Sequence, residues 1–116
     1  MLSQPATGAP QTLLVTGATG YIASRLIPRL LEAGYKVRCL ARHPERLKGR
    51  VWYPRVEVVS GDVTRPETLP EALQGVSAAY YLIHSMSFGH GYDRVDLLSA
   101  RNFAQAAARA GIEHII

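Results

Sequence analysis

The run Leu13-Leu14-Val15-Thr16-Gly17-Ala18-Thr19-Gly20-Tyr21-Ile22-Ala23 constrains this chain more than any other stretch. An unbroken apolar segment leads into two glycines and then into helical spacing. It reads as a buried strand, a tight turn and the start of a helix. Gly17, Gly20 and Ala23 give the pattern G-x-x-G-x-x-A. Glycine admits turn conformations that a side chain forbids. It also lets the backbone approach a phosphate closely, while a small third residue lets helix and strand pack. The helix N-terminus offers unpaired N–H groups and a partial positive charge. The turn therefore suits a pyrophosphate; the plainer reading is a turn that needs glycine for its shape alone. Two other nucleotide sites are excluded. No Gly-Lys dipeptide occurs, so there is no Walker A loop. No acidic residue follows the second apolar segment, where a methyltransferase-type site usually has one.

A chain of 116 residues with 47% hydrophobic and 19% charged residues fits one packed domain. Residues 1–11 read as a disordered lead-in rich in Pro, Gly, Ala, Ser and Thr, and 12–116 as the domain. No run of about 18 apolar residues occurs and no basic-then-apolar leader is present, so no membrane partner and a cytoplasmic location are expected. No metal site is expected. The single Cys39 lies in an apolar strand and reads as a small buried hydrophobe. The net charge is +4, with Arg38, Arg42, Arg46, Lys48, Arg50 and Arg55 close together. A nucleic-acid partner is not favoured, because no stacking platform or helix-turn-helix accompanies the cluster. Most of these side chains read as a solvated loop.

Apolar runs and breakers set the expected elements. Strands are expected at about 12–16, 36–41, 56–60 and 78–83, with a fifth beginning at Glu113-His114-Ile115-Ile116. A helix runs from about Gly20 to Ala33, with Ile22, Leu26, Ile27, Leu30 and Leu31 as its stripe. It is read as one helix although Pro28 removes a hydrogen bond, and Gly34 ends it. Thr64-Arg65-Pro66-Glu67 and Thr68-Leu69-Pro70-Glu71 have capping-box spacing ahead of a short helix. The last helix is expected over about Tyr92–Ala110, with Ala100, Ala104, Ala107 and Ala108 as a close-packing surface and Asn102 tied to a neighbouring loop.

Candidate ligand groups fall at the ends of the strands. In dinucleotide folds an acidic residue about 20 positions past the glycine turn binds the ribose 2′-hydroxyl. No carboxylate lies in that window here, and Arg42 stands at the strand's end. A guanidinium pairs bidentately with a 2′-phosphate, so NADP is expected over NAD, which remains possible. Otherwise Arg42 points into solvent. Asp62 can accept from an adenine amino group with Val63 against the ring, or simply form a turn. His84 reads as a group orienting a nicotinamide ribose or an acid/base; the plainer reading is structural, since nothing places a partner beside it.

Three motifs in order, Thr16 to Ile22, Gly61-Asp62-Val63 and Ala79-Tyr80-Tyr81-Leu82-Ile83-His84-Ser85, resemble the extended and atypical short-chain dehydrogenase/reductases. The nearest subgroup is the NmrA-like and sugar-nucleotide-epimerase-like proteins. The resemblance covers about 12–116. It implies an α/β Rossmann-type parallel sheet of order 3-2-1-4-5, helices on both faces, breaking off at strand five. It also implies cofactor roles for Gly17, Thr19, Gly20, Tyr21, Ile22, Arg42, Asp62, Val63, Ile83 and His84. The family's Tyr-x-x-x-Lys is absent: no tyrosine has lysine four positions on. No catalytic residue is therefore assigned, and the chain is expected to be the N-terminal part of a longer protein, inactive in hydride transfer alone. The expected function is an NADP-preferring dinucleotide-binding domain that self-associates through an open sheet edge. The alternative is an NmrA-like redox sensor acting through a protein partner.

Overall fold

The computed structural model describes residues 11–83 and 90–116. His84 lies outside them, as does all but the last residue of the lead-in. Five parallel strands form one sheet: β1 Thr12–Thr16, β2 Lys36–Ala41, β3 Glu57–Ser60, β4 Ala78–Tyr81 and β5 His114–Ile115. Their order is β3-β2-β1-β4-β5, as expected. The helices are α1 Tyr21–Glu32, α2 Leu69–Leu73 and α3 His90–Arg109. No described helix is long and apolar enough to cross a membrane.

β1 is central and buried on both faces, which is why it is a run and not an alternation. Leu13 and Val15 join Ala23, Ile27 and Leu30 of α1, with Leu47 and Trp52. Leu14 faces the other way, with Leu69 and Leu73 of α2 and Phe103 and Ala107 of α3. The sheet therefore separates two apolar layers. Side chains alternate across a strand, so consecutive apolar residues of β1 serve both.

α1 passes through Pro28 as one helix and ends as the glycine predicts. Gly34 has φ +94°, the Gly34 N–H donates to Leu31, and the Tyr35 N–H donates to Leu30, both at 3.1 Å. Those two bonds satisfy carbonyls the helix end leaves open.

Four expectations change. β4 ends at Tyr81, so Leu82 and Ile83 are already loop. α3 starts at His90, before Tyr92. Its buried face is Ser99, Phe103, Ala106 and Ala107; Ala104 and Ala108 are exposed. Phe103 removes far more apolar area from water than an alanine, and it sets the helix's rotation. The capping boxes do not form either. Thr68 makes no cap hydrogen bond to α2; its Oγ1 sits 3.0 Å from the Asp62 carbonyl and 2.8 Å from that of Arg65. It also accepts from the Asp62 N–H at 2.9 Å.

Arg38 is an exception within a basic cluster that is otherwise mostly exposed, as expected, at Arg42, Arg46, Lys48 and Arg55. Its side chain is 15% exposed. Nε donates to Glu57 Oε1, and Nη1 to the Ala72 and Gln74 carbonyls, each at 2.7 Å. It thus ties β2 to β3 and to the end of α2, where carbonyls lack helical donors.

Candidate functional site

The C-terminal ends of β1, β2 and β3 open onto a cleft of about 430 Å³. In parallel sheets this is the edge where ligands bind. The glycine turn forms one wall. Gly17 has φ +71°, and a Cβ there would lie 2.9 Å from the Leu82 carbonyl carbon and oxygen. The turn thus packs directly on the backbone that leaves β4. Thr16, fully buried, holds that junction. Its Oγ1 donates to the Tyr80 carbonyl at 2.9 Å and accepts from the Leu82 N–H at 3.2 Å.

Gly20 is the N-cap of α1 and supplies no side chain to the helix end; no acidic residue stands in the first turn. The first helical bond runs from the Ser24 N–H to the Gly20 carbonyl at 3.1 Å. The amides of Tyr21, Ile22 and Ala23 precede it and belong to the set that a helix leaves unpaired. Their side chains diverge: Tyr21 and Ile22 are 73% and 63% exposed, while Ala23 is fully buried against the sheet. A small residue is therefore needed in that third slot.

Of the predicted residues, the cleft is lined by Gly17, Thr19, Arg42, Asp62, Val63 and Ile83. Gly20, Tyr21 and Ile22 are not among its lining residues; they follow Thr19 directly as the N-cap and first residues of α1. His84 lies outside the described residues. Arg42 is exposed and stands one residue past β2. Asp62 does form a turn: its Oδ1 accepts from the Thr64 N–H at 2.9 Å and the Thr64 hydroxyl at 2.7 Å. A carboxylate has further acceptor positions, so the turn leaves it able to take a ligand donor. Burial pushes this carboxyl's pKa up, but the Thr64 hydrogen bonds and the charges of Arg42 and Arg65 outweigh it and hold it below the usual range. Asn102, as expected, ties α3 to a loop: its Nδ2 donates to the Val63 carbonyl at 2.9 Å.

The cleft also contains residues that the sequence reading did not assign to it. Arg46 and His43 extend the basic wall from Arg42, and Val95, Asp96 and Ser99 enter from α3. Arg46 follows Arg42 by four positions, a spacing that is informative once the segment coils. Ser99 is 4% exposed, a polar residue on the buried stripe of α3. The residues fit a dinucleotide. A cradle closed to a Cβ, an uncapped helix start and a basic wall without a carboxylate at β2 are each what an anionic cofactor needs.

A family model described as NAD(P)H-binding matches residues 17–116. The chain belongs to this family. Its relatives include short-chain-dehydrogenase-like reductases. A (4-alkanoyl-5-oxo-2,5-dihydrofuran-3-yl)methyl phosphate reductase of Streptomyces griseus is 39% identical over 104 residues, covering 90% of this chain and 33% of the relative. A 3 beta-hydroxysteroid dehydrogenase/Delta 5-->4-isomerase of Mycobacterium tuberculosis is 27% identical over 114 residues, covering 90% and 30%. Among solved structures, the triphenylmethane reductase of Citrobacter, complexed with NADP(H), superposes with TM-score 0.71 at 28% identity, covering 90% of this chain and 35% of that one. This NAD(P)-binding chain spans about a third of the length of these relatives.

Proposed function

We propose that the cleft binds NADP in preference to NAD, as the cofactor domain of a short-chain-reductase-like protein. One observation carries the reading: Arg42 and Arg46 line the same cleft at the end of β2, where an NAD site has a carboxylate. Guanidinium groups pair with a 2′-phosphate by charge and by geometry.

The other residues take roles consistent with that end-to-end order. The Gly17-Thr19-Gly20 turn and the amides of Tyr21 and Ile22 receive the pyrophosphate. Asp62 accepts from the adenine amino group, with Val63 against the ring. Ile83 lines the nicotinamide side, and His84 follows it in sequence. The bound dinucleotide supplies hydride chemistry. This chain binds and orients it, and lacks the Tyr-x-x-x-Lys pair that would move a proton. Self-association belongs to the same proposal: among the described residues β5 pairs with β4 alone, and an unpaired strand edge is a template for another strand.

Calorimetric titration with NADPH and NADH tests the reading. The wild-type chain is expected to favour NADPH by about tenfold or more, the effect of one charge-assisted contact. Arg42→Ala is expected to remove most of that preference and leave NADH binding intact. Raising the salt is expected to narrow the preference, since exposed charges are screened. Equal affinities in the wild type would overturn the proposal.

A further inference from the structure

Arg50 lies in the basic segment between β2 and β3, on a firmly held stretch of backbone. Its N–H donates to the Leu47 carbonyl and its carbonyl accepts from the Tyr53 N–H, each at 3.0 Å. The neighbouring side chains of Leu47 and Trp52 are buried in the layer beneath α1. From this base the guanidinium reaches back across the fold, and Nη2 donates to the Thr19 carbonyl at 3.0 Å.

The other end of the same peptide is also held, because the Gly20 N–H donates to the Gly17 carbonyl at 3.0 Å. In a trans peptide the carbonyl and the following N–H point in opposite directions. Arg50 and Gly17 therefore grip the Thr19–Gly20 peptide plane from its two sides. That plane sets the direction in which the chain enters α1, and so the aim of the first amides of the helix.

We propose that Arg50 is a positioning residue for the cofactor, holding the turn in its anion-binding shape. This rests on the reading that the turn takes a pyrophosphate. Arg50 shares its segment with Arg42 and Arg46, so the segment that reads the ribose phosphate also fixes the turn that holds the pyrophosphate.

The test is calorimetry on the full chain, wild type against Arg50→Met, with NADPH, ADP and 2′-AMP. Methionine keeps an unbranched apolar stem and removes the donors. ADP carries a pyrophosphate and no 2′-phosphate; 2′-AMP has the reverse. Arg50→Met is expected to lose about fivefold in affinity for NADPH and ADP and less than about twofold for 2′-AMP, the scale of one lost hydrogen bond. Arg42→Ala is expected to show the opposite split between ADP and 2′-AMP. In the ligand-free variant the Gly20 amide is expected to exchange its hydrogen about fivefold faster than in the wild type, while the β1 amides keep their rates. ADP affinity within about twofold of wild type would overturn the proposal, and so would an equal loss for all the ligands, which signals a general weakening of the fold. A wild-type chain that binds none of them would overturn the cofactor reading as well. Should Arg50→Met not fold, Arg50→Gln, whose shorter side chain falls short of Thr19, replaces it under the same criteria.

Discussion

At Gly17 the backbone stands at φ +71° and an added methyl group would press on the Leu82 carbonyl at 2.9 Å. At Gly20 φ is −81°, and a methyl group would meet only the Gly17 carbonyl oxygen at 3.2 Å. Gly17→Ala is expected to cost about 2 kcal/mol or more, from left-handed strain plus backbone displacement. Gly20→Ala is expected to cost less than about 1 kcal/mol. Urea denaturation of the two variants measures the difference, and equal costs would contradict this account. Cys39 makes a second residue-scale case. Burial pushes its thiol up to about 12 from 9.0. The unfolded thiol ionises first, so the stability tied to the neutral form is complete below the unfolded value and drains away as pH rises toward the folded one. At about pH 8, alkylation by iodoacetamide is expected to run at least roughly tenfold slower in the folded protein than in urea. The need for glycine and the buried cysteine were both legible in the sequence, because each follows from its immediate neighbours. The Thr16 hydroxyl was not. Its partner carbonyl belongs to Tyr80, 64 positions away, and no local pattern announces it.

Among the elements, the strands were readable because apolar runs mark two-sided burial and glycines mark the stops, while their order came from the family resemblance. The rotation of α3 was not readable from its alanines. Of the four alanines expected on one face only Ala107 is buried, and Phe103 sets the rotation by packing against the Tyr81 ring with centroids 5.1 Å apart. Phe103→Ala is expected to destabilise the protein by about 3–5 kcal/mol, and Ala104→Ser by less than about 0.5 kcal/mol, as read from thermal or urea unfolding. The capping boxes failed for a related reason. Thr68 has the right spacing to cap α2, yet its hydroxyl is engaged by the Asp62 turn. A short side chain with several partners in reach takes the arrangement that the tertiary fold presents. That choice makes the start of α2 a support for the Asp62 loop. The basic wall of the cleft was half legible: Arg42 follows from the end of β2, whereas Arg46 enters only because Pro44–Leu47 coils into a short 3-10 turn.

For the molecule as a whole, apolar groups remain on the outside. Val95, Leu97 and Leu98 of α3 are 48%, 73% and 54% exposed, and Ile115 and Ile116 at the sheet's edge are 42% and 59% exposed. Light scattering is expected to give a mass above that of one chain at high concentration, and Ile116→Lys is expected to lower it, since an edge lysine discourages strand pairing. The placement of β1 has a separate consequence for how the protein is made. β1 leaves the ribosome first among the strands, acquires β2 soon after, and must wait for Ala78–Tyr81 before its other flank is covered. Until then Leu14 has, of the helices in its apolar layer, only α2, with Phe103 and Ala107 of α3 still to come, and the Thr16 hydroxyl has no Tyr80 carbonyl to meet. A nascent chain halted before β4 is therefore open to protease along β1 however completely α1 and β2 have formed, and protection arrives abruptly once β4 clears the exit tunnel.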